Sequence, residues 1–175
     1  MNDQELISKV QTSMNRQCHD KGYATAVDVL MDTGILSKQK HEDWRYGRIP
    51  FLEAVCKANL SKLALVLRTM HQYAENHRLK ESFTYYKRWG AKKQGRRITI
   101  PLRFSRSGNP EIEKKYATHY VDPFRTEELK KTRQIQAKRI ETCGADAEEP
   151  ADDHAGCCKV YRESIPHQAA EVRST

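Results

Sequence analysis

Between Arg78 and Arg106 the chain concentrates the residue types that hold phosphate and stack on rings. Ten Lys or Arg (Arg78, Lys80, Lys87, Arg88, Lys92, Lys93, Arg96, Arg97, Arg103 and Arg106) stand against one acid, Glu81. Five aromatics, Phe83, Tyr85, Tyr86, Trp89 and Phe104, are interleaved with them. Lys and Arg neutralise phosphates and release condensed counterions. Ring faces and guanidinium planes stack on unpaired bases, each stack contributing about 1–3 kcal/mol. Residues 90–97, Gly-Ala-Lys-Lys-Gln-Gly-Arg-Arg, combine four cations with two glycines, which let a loop approach a polymer backbone closely.

The candidate contact set is therefore Lys87, Arg88, Lys92, Lys93, Arg96, Arg97, Arg103 and Arg106, with the rings of Tyr85, Tyr86 and Trp89. The function this points to is non-catalytic binding of nucleic acid, DNA or RNA. The aromatics favour single strands. Two other readings fit the same composition. The cations form an ordinary solvated face, or they meet an acidic protein surface while a helix over 123–141 docks on that partner. At least one of Trp89 and Phe104 should lie in the core, because rings of that size are rarely left bare.

Other chemistries lack their groups. Cys18 and His19 are neighbours on one expected helix, so their side chains diverge by about 100°. His71 and His77 are six apart, off any shared ligand-bearing face. His119 has no carboxylate at useful spacing. Acids are scarce in the basic segment, so a metal-dependent nuclease has no carboxylates there. Cys143, His154, Cys157, Cys158 and His167 are zinc-ligand types, but no Cys-X-X-Cys pair occurs among them. The expectation is no catalytic set, no metal and no cofactor.

Charge is distributed unevenly. Residues 1–60 hold eight basic and eight acidic residues, whereas residues 61–120 hold fourteen basic and four acidic ones. Residues 141–175 reverse the sign, with three basic and eight acidic. Such asymmetry fits a polyanion partner or an acidic tail. The longest apolar run, Leu63 to Leu67, is far below the roughly 18–20 residues of a membrane span. The polar N-terminus carries no secretory h-region. Five cysteines, an odd number, then fit reduced thiols and a cytoplasmic location.

The elements that must position the basic segment are mostly helical. Leu6, Ile7, Val10 and Met14 mark a helix over 3–20, ended by Gly22. Short helices are expected over 24–33 and, capped by Ser37 and anchored by Trp44, over 37–46. A helix-turn-helix across these two is disfavoured, because Glu42 and Asp43 would face phosphates. From Pro50 to His77 apolar residues keep helical phase, which predicts one helix over 50–78, about 43 Å long at ~1.5 Å per residue. Residues 98–104 alternate apolar and polar as a short strand, and Pro101 makes it an edge or bulged one. Asn109-Pro110-Glu111 is the clearest helix start, and a last helix follows over 123–141.

The expected fold is thus mainly α. A multi-helix domain over 1–141 surrounds one long central helix at about 50–78, with a small β element near 84–104. An acidic tail over 142–175 is too polar to order itself.

Overall fold

A computed structural model describes residues 2–145 of the chain. The acidic tail expected over 142–175 lies almost wholly outside them. One compact unit spans Met1–Ile135, and a second begins at Gln136.

The fold is mainly helical, with a small three-stranded antiparallel sheet. Helix α1 covers Asp3–Lys21. Its N-cap is Asn2, whose side-chain oxygen accepts from the Glu5 amide at 2.7 Å. Gly22 ends it in the left-handed region, at φ 82°. Strand β1, Tyr23–Thr25, follows at once. Thr25 then caps α2, Ala26–Asp32, so the helix expected from residue 24 starts later. Ser37 caps α3, Lys38–Arg45, as its position before a helical pattern predicts.

The single helix expected over 50–78 is two helices. A 3-10 turn covers Leu52–Val55, and α4 covers Leu60–Asn76. Between them Cys56 is extended, with ψ 133°. The apolar phase continues through the break, but backbone bonding does not. The amides of Leu52 and Glu53 bond to the carbonyls of Arg103 and Phe104, at 3.2 and 2.9 Å. The Lys57 amide bonds to the Ile35 carbonyl at 2.9 Å. Asn59 then caps α4 by accepting from the Lys62 amide at 2.9 Å. Tertiary partners for these amides outweigh helix continuation.

Strand β2 is Lys80–Phe83. Strands β3, Lys92–Lys93, and β4, Arg96–Arg97, form a two-stranded ribbon. Helix α5 covers Pro110–Ala117 and leads directly into β5, Thr118–Val121. Helix α6 covers Pro123–Ala145. The sheet order is β1-β5-β2, with Thr25 opposite His119 and Phe83 opposite Thr118.

The main sheet therefore lies outside 84–104, where a β element was expected; only the β3–β4 ribbon falls there. Residues 98–104 are extended but pair through single bridges, Lys87 with Pro101 and Phe51 with Arg103. Pro101 sits between two cross-strand bonds, Arg88 N–H to Ile100 O and Leu102 N–H to Tyr86 O, both 2.9 Å. Its missing donor thus falls at a place where none is needed.

The core joins Leu6, Val10 and Met14 of α1 to Leu63, Val66 and Met70 of α4. Beside it lies an aromatic cluster. Trp44 is fully buried, 5.2 Å from Phe104, and Phe104 stacks on Tyr116 with planes 2° apart. The Trp44 indole N–H donates to the Arg103 carbonyl at 2.8 Å. Glu113 completes the joint: its carboxylate accepts from the amides of Phe104 and Ser105 and from the Ser105 hydroxyl, at 2.9, 2.7 and 2.6 Å. No helix among the described residues is long and apolar enough to cross a membrane.

Candidate nucleic-acid interface

Residues 88 and 89 are fastened to the C-terminal end of α3. The Trp89 amide donates to the Arg45 carbonyl at 2.7 Å, and Arg88 Nε donates to the Tyr46 carbonyl at 2.8 Å. A cation at this end also complements the helix dipole. The approach requires Gly47: a Cβ there would lie 2.6 Å from Arg88 Nε, and its φ of 70° already favours glycine.

This junction creates a row of alternating cations and rings. The Arg48 guanidinium lies 5.3 Å from the Tyr46 ring, and Tyr46 meets Trp89 edge-on at 5.5 Å. Arg45 lies 4.5 Å from the Trp89 ring and 5.3 Å from the Tyr86 ring. Tyr86 meets His119 edge-on at 5.8 Å, and His119 stacks on Tyr23 at 5.7 Å, with planes 9° apart. Lys21 closes the row, 5.5 Å from the Tyr23 ring. Each cation–ring contact contributes roughly 0.5–1 kcal/mol at exposed sites. Tyr46 is 44% exposed, and Trp89 and Tyr23 are each 37% exposed, so three of the rings present surface to solvent.

The inner members are held differently. Tyr86 is half-buried, and its hydroxyl lies 3.0 Å from His119 Nε2. Burial pushes its pKa up to about 12. Thr84 Oγ1 lies 3.3 Å from His119 Nδ1, so both imidazole nitrogens are engaged. Burial holds the His119 pKa below the usual histidine value, and burial with the nearby Arg45 charge does the same for His41. Both rings are therefore mainly neutral at pH 7, and the row's cations are Lys21, paired with Asp28 at 2.6 Å, Arg48, paired with Asp43 at 2.9 Å, and Arg45.

Next to Trp89 in sequence comes the β3–β4 ribbon. Its two-residue turn, Gln94-Gly95, has φ of 50° and 79°, both in the left-handed region. That geometry matches the right-handed twist of the flanking strands. The register sets Lys92 opposite Arg97 and Lys93 opposite Arg96. Like charges directly opposite one another destabilise a ribbon. The Lys92–Arg97 pair carries that cost.

The eleven sequence-predicted residues thus fall into several groups. Trp89 joins the cation–ring row, with Tyr86 as an inner member, and Arg88 ties residue 88 to α3 through the Tyr46 carbonyl. Lys92, Lys93, Arg96 and Arg97 form the ribbon. Lys87 is exposed at the bridge to Pro101. Tyr85, 74% exposed, meets the Phe83 ring edge-on at 4.8 Å, and both line a cleft of about 470 Å³ with Pro101, Leu102 and Lys114. The Arg103 side chain is committed to the turn after it, donating to the carbonyls of Ser105 and Arg106 at 3.4 and 3.0 Å. Arg106 lines a different groove, between α4 and α5. Lys21, Tyr23, Arg45, Tyr46 and Arg48 escaped the sequence reading. They lie in the charge-neutral part of the chain, and only the bonds from residues 88 and 89 to α3 and the sheet pairing of β1 bring them in. The faint signal was Trp44-Arg45-Tyr46-Gly47-Arg48, where rings and arginines alternate before a glycine.

On α6, Phe124 is 86% exposed, and residues 130–135 are exposed throughout. Arg125 and Thr126 tie its first turn to α1, donating to the carbonyls of His19 and Gly22 at 2.7 and 3.1 Å. Comparison with protein-family models, with curated proteins and with solved structures finds no match for this chain.

Proposed function

We propose that the protein is a non-catalytic binder of single-stranded nucleic acid. The observation that carries this reading is the half-open Tyr46–Trp89 ring pair, held between Arg45 and Arg48 and followed in the chain by the four-cation ribbon. Rings beside guanidinium groups offer unpaired bases a stacking face, and every base has a π face to offer in return. The ribbon supplies phosphate contacts with no acid in its strands to oppose them. An α-helix that reads a major groove is not part of this reading. Helix α3 is anchored through the buried Trp44, and Asp43 on it is paired with Arg48 at 2.9 Å.

The test is fluorescence anisotropy with a labelled single-stranded oligonucleotide at several salt concentrations. Affinity should fall linearly on a log–log plot, by about 0.7 in slope for each phosphate contact. Neutralising Arg96 and Arg97 together should lower that slope by about 1.4, two contacts at about 0.7 each. Absent binding at low salt, or affinity indifferent to this double substitution, would overturn the reading.

A further inference from the structure

On another side of the basic segment, α4 and α5 border a groove of about 1000 Å³. Its α4 wall is Leu60, Leu63, Ala64 and Leu67, the i, i+3, i+4, i+7 positions of one helix face. Ile112 and Tyr116 of α5 form the opposite side. Leu63 and Tyr116 make a closed floor, 2% and 1% exposed, while Leu60 at the mouth is 64% exposed. A leucine left so bare at the end of a continuous apolar stripe marks a surface that gains from being covered.

The rim is charged, and its charges are unequally occupied. Glu53 accepts from the Arg106 amide at 2.8 Å and from the Tyr116 hydroxyl at 3.2 Å. Glu81 faces His71 Nδ1 at 3.4 Å. The side chains of Arg68, Arg106, Lys114 and Lys115 have no ion pair or hydrogen bond among the described residues. Glu111 is the one acid of the rim in the same state. The four cations outnumber the rim's three acids, and two of those acids already accept from the protein, so the apolar trough favours an occupant that is apolar on one face and acidic at its edges.

We propose that this groove receives an amphipathic helix of a partner protein, with Leu-type residues at i, i+3, i+4 and i+7 and Asp or Glu flanking them. The α4 stripe from Leu60 to His71 rises about 16 Å, which accommodates about three turns of such a helix. Helix α6 of a second copy is a poor occupant. Through residue 135 it carries Arg125, Lys130, Lys131 and Arg133 against only Glu127 and Glu128, so its excess charge repeats that of the rim. Nucleic acid gains little more than the charge from this site, because the α4 wall is aliphatic and the one ring of the floor, Tyr116, is 1% exposed.

The experiment uses the full chain and two labelled probes, a designed Leu-striped helical peptide with Glu flanks and its twin with Lys flanks. The Glu peptide should bind saturably, and the Lys twin at least tenfold more weakly. Leu60→Glu should weaken the Glu peptide at least tenfold. The substitution suits the first turn of a helix and leaves the core intact, so an unchanged thermal midpoint is expected with it. Lys114→Glu with Lys115→Glu should have a similar effect. Binding of the labelled oligonucleotide should be unchanged by Leu60→Glu, which separates this site from the ring row. Four outcomes would overturn the proposal: no saturable binding of the Glu peptide, equal binding of both peptides, indifference to Leu60→Glu, or self-association of the chain that Leu60→Glu abolishes.

Discussion

The Arg45 guanidinium lies 4.5 Å from the centre of the Trp89 indole, and the Arg45 carbonyl accepts the Trp89 amide at 2.7 Å. One residue therefore holds the other through both its backbone and its side chain. The indole is fixed in place before any ligand arrives, with a cation over its ring and Tyr46 nearly perpendicular to it, planes 80° apart. A pre-positioned ring loses little conformational freedom on binding.

Trp89→Ala should then weaken binding of a single-stranded oligonucleotide about tenfold, in line with the roughly 1–3 kcal/mol of one base stack. Trp89→Tyr should recover most of that. Trp44 is buried, so the change in indole emission on binding should vanish in Trp89→Ala. Anisotropy and emission titrations on the three proteins check both points.

Glu113 organises the backbone at residues 104 and 105 through three hydrogen bonds. Bonds to a charged group each contribute about 1.5–3 kcal/mol, and their partners here, on the buried residues Phe104 and Ser105, would be left unmatched. Glu113→Ala should lower the unfolding free energy by about 3 kcal/mol, measured by urea denaturation. Glu113→Gln should lose less, because its amide oxygen still accepts.

Gly22 has no substitute. Its φ of 82° strains any L side chain, and a Cβ would lie 2.6 Å from Thr126 Oγ1 and 3.1 Å from Thr126 Cα. Moving the hydroxyl relieves the first contact but not the second. Gly22→Ala should destabilise the protein by about 1–3 kcal/mol, the cost of a residue held in a sparsely populated backbone region. Thermal unfolding monitored by circular dichroism reads this directly.

Acid should destabilise the fold in a definite window. Burial lowers the folded pKa of His119 and His41 from 6.5. As pH falls below 6.5, the unfolded chain takes up these protons before the folded one does, and stability declines. The decline ends once pH drops below the folded values. Asp32, held below 3.8 by Arg16, Ser13 and Gln17 against the opposing effect of burial, adds a separate loss only at still lower pH. Unfolding free energy measured between pH 8 and 4.5 should therefore be flat above about 7.5 and fall through 6. His119→Gln should shrink the fall while costing some stability at pH 8.

Helix ends were the most legible part of the fold. Ser37, Asn109-Pro110 and Gly22 act through hydrogen bonds or dihedral preferences within a few residues, and such chemistry is written locally. The break at Cys56–Asn59 was not legible from periodicity. Its cause is a set of carbonyls at Ile35, Arg103 and Phe104, distant in sequence, that claim the amides of Lys57, Leu52 and Glu53. Strands β1 and β5 are three and four residues long, too short for alternation to stand out from chance. Half of the candidate interface was visible as the run from Tyr85 to Arg97. The other half, Arg45 to Arg48, sits in a segment of balanced charge and becomes part of the surface only through the bonds from Arg88 and Trp89.

The strand order β1-β5-β2 sets when the protein becomes competent during synthesis. Its central strand is the last of the five to leave the ribosome, and the two outer strands have no partner until it does. His119, which links Tyr23 to Tyr86, arrives on that same strand. A nascent chain that ends before Val121 therefore carries every cation of the ribbon but an unfinished ring row. The ribbon's cations emerge first and the finished ring row second, so a shortened product presents the proposed phosphate contacts without the proposed stacking surface.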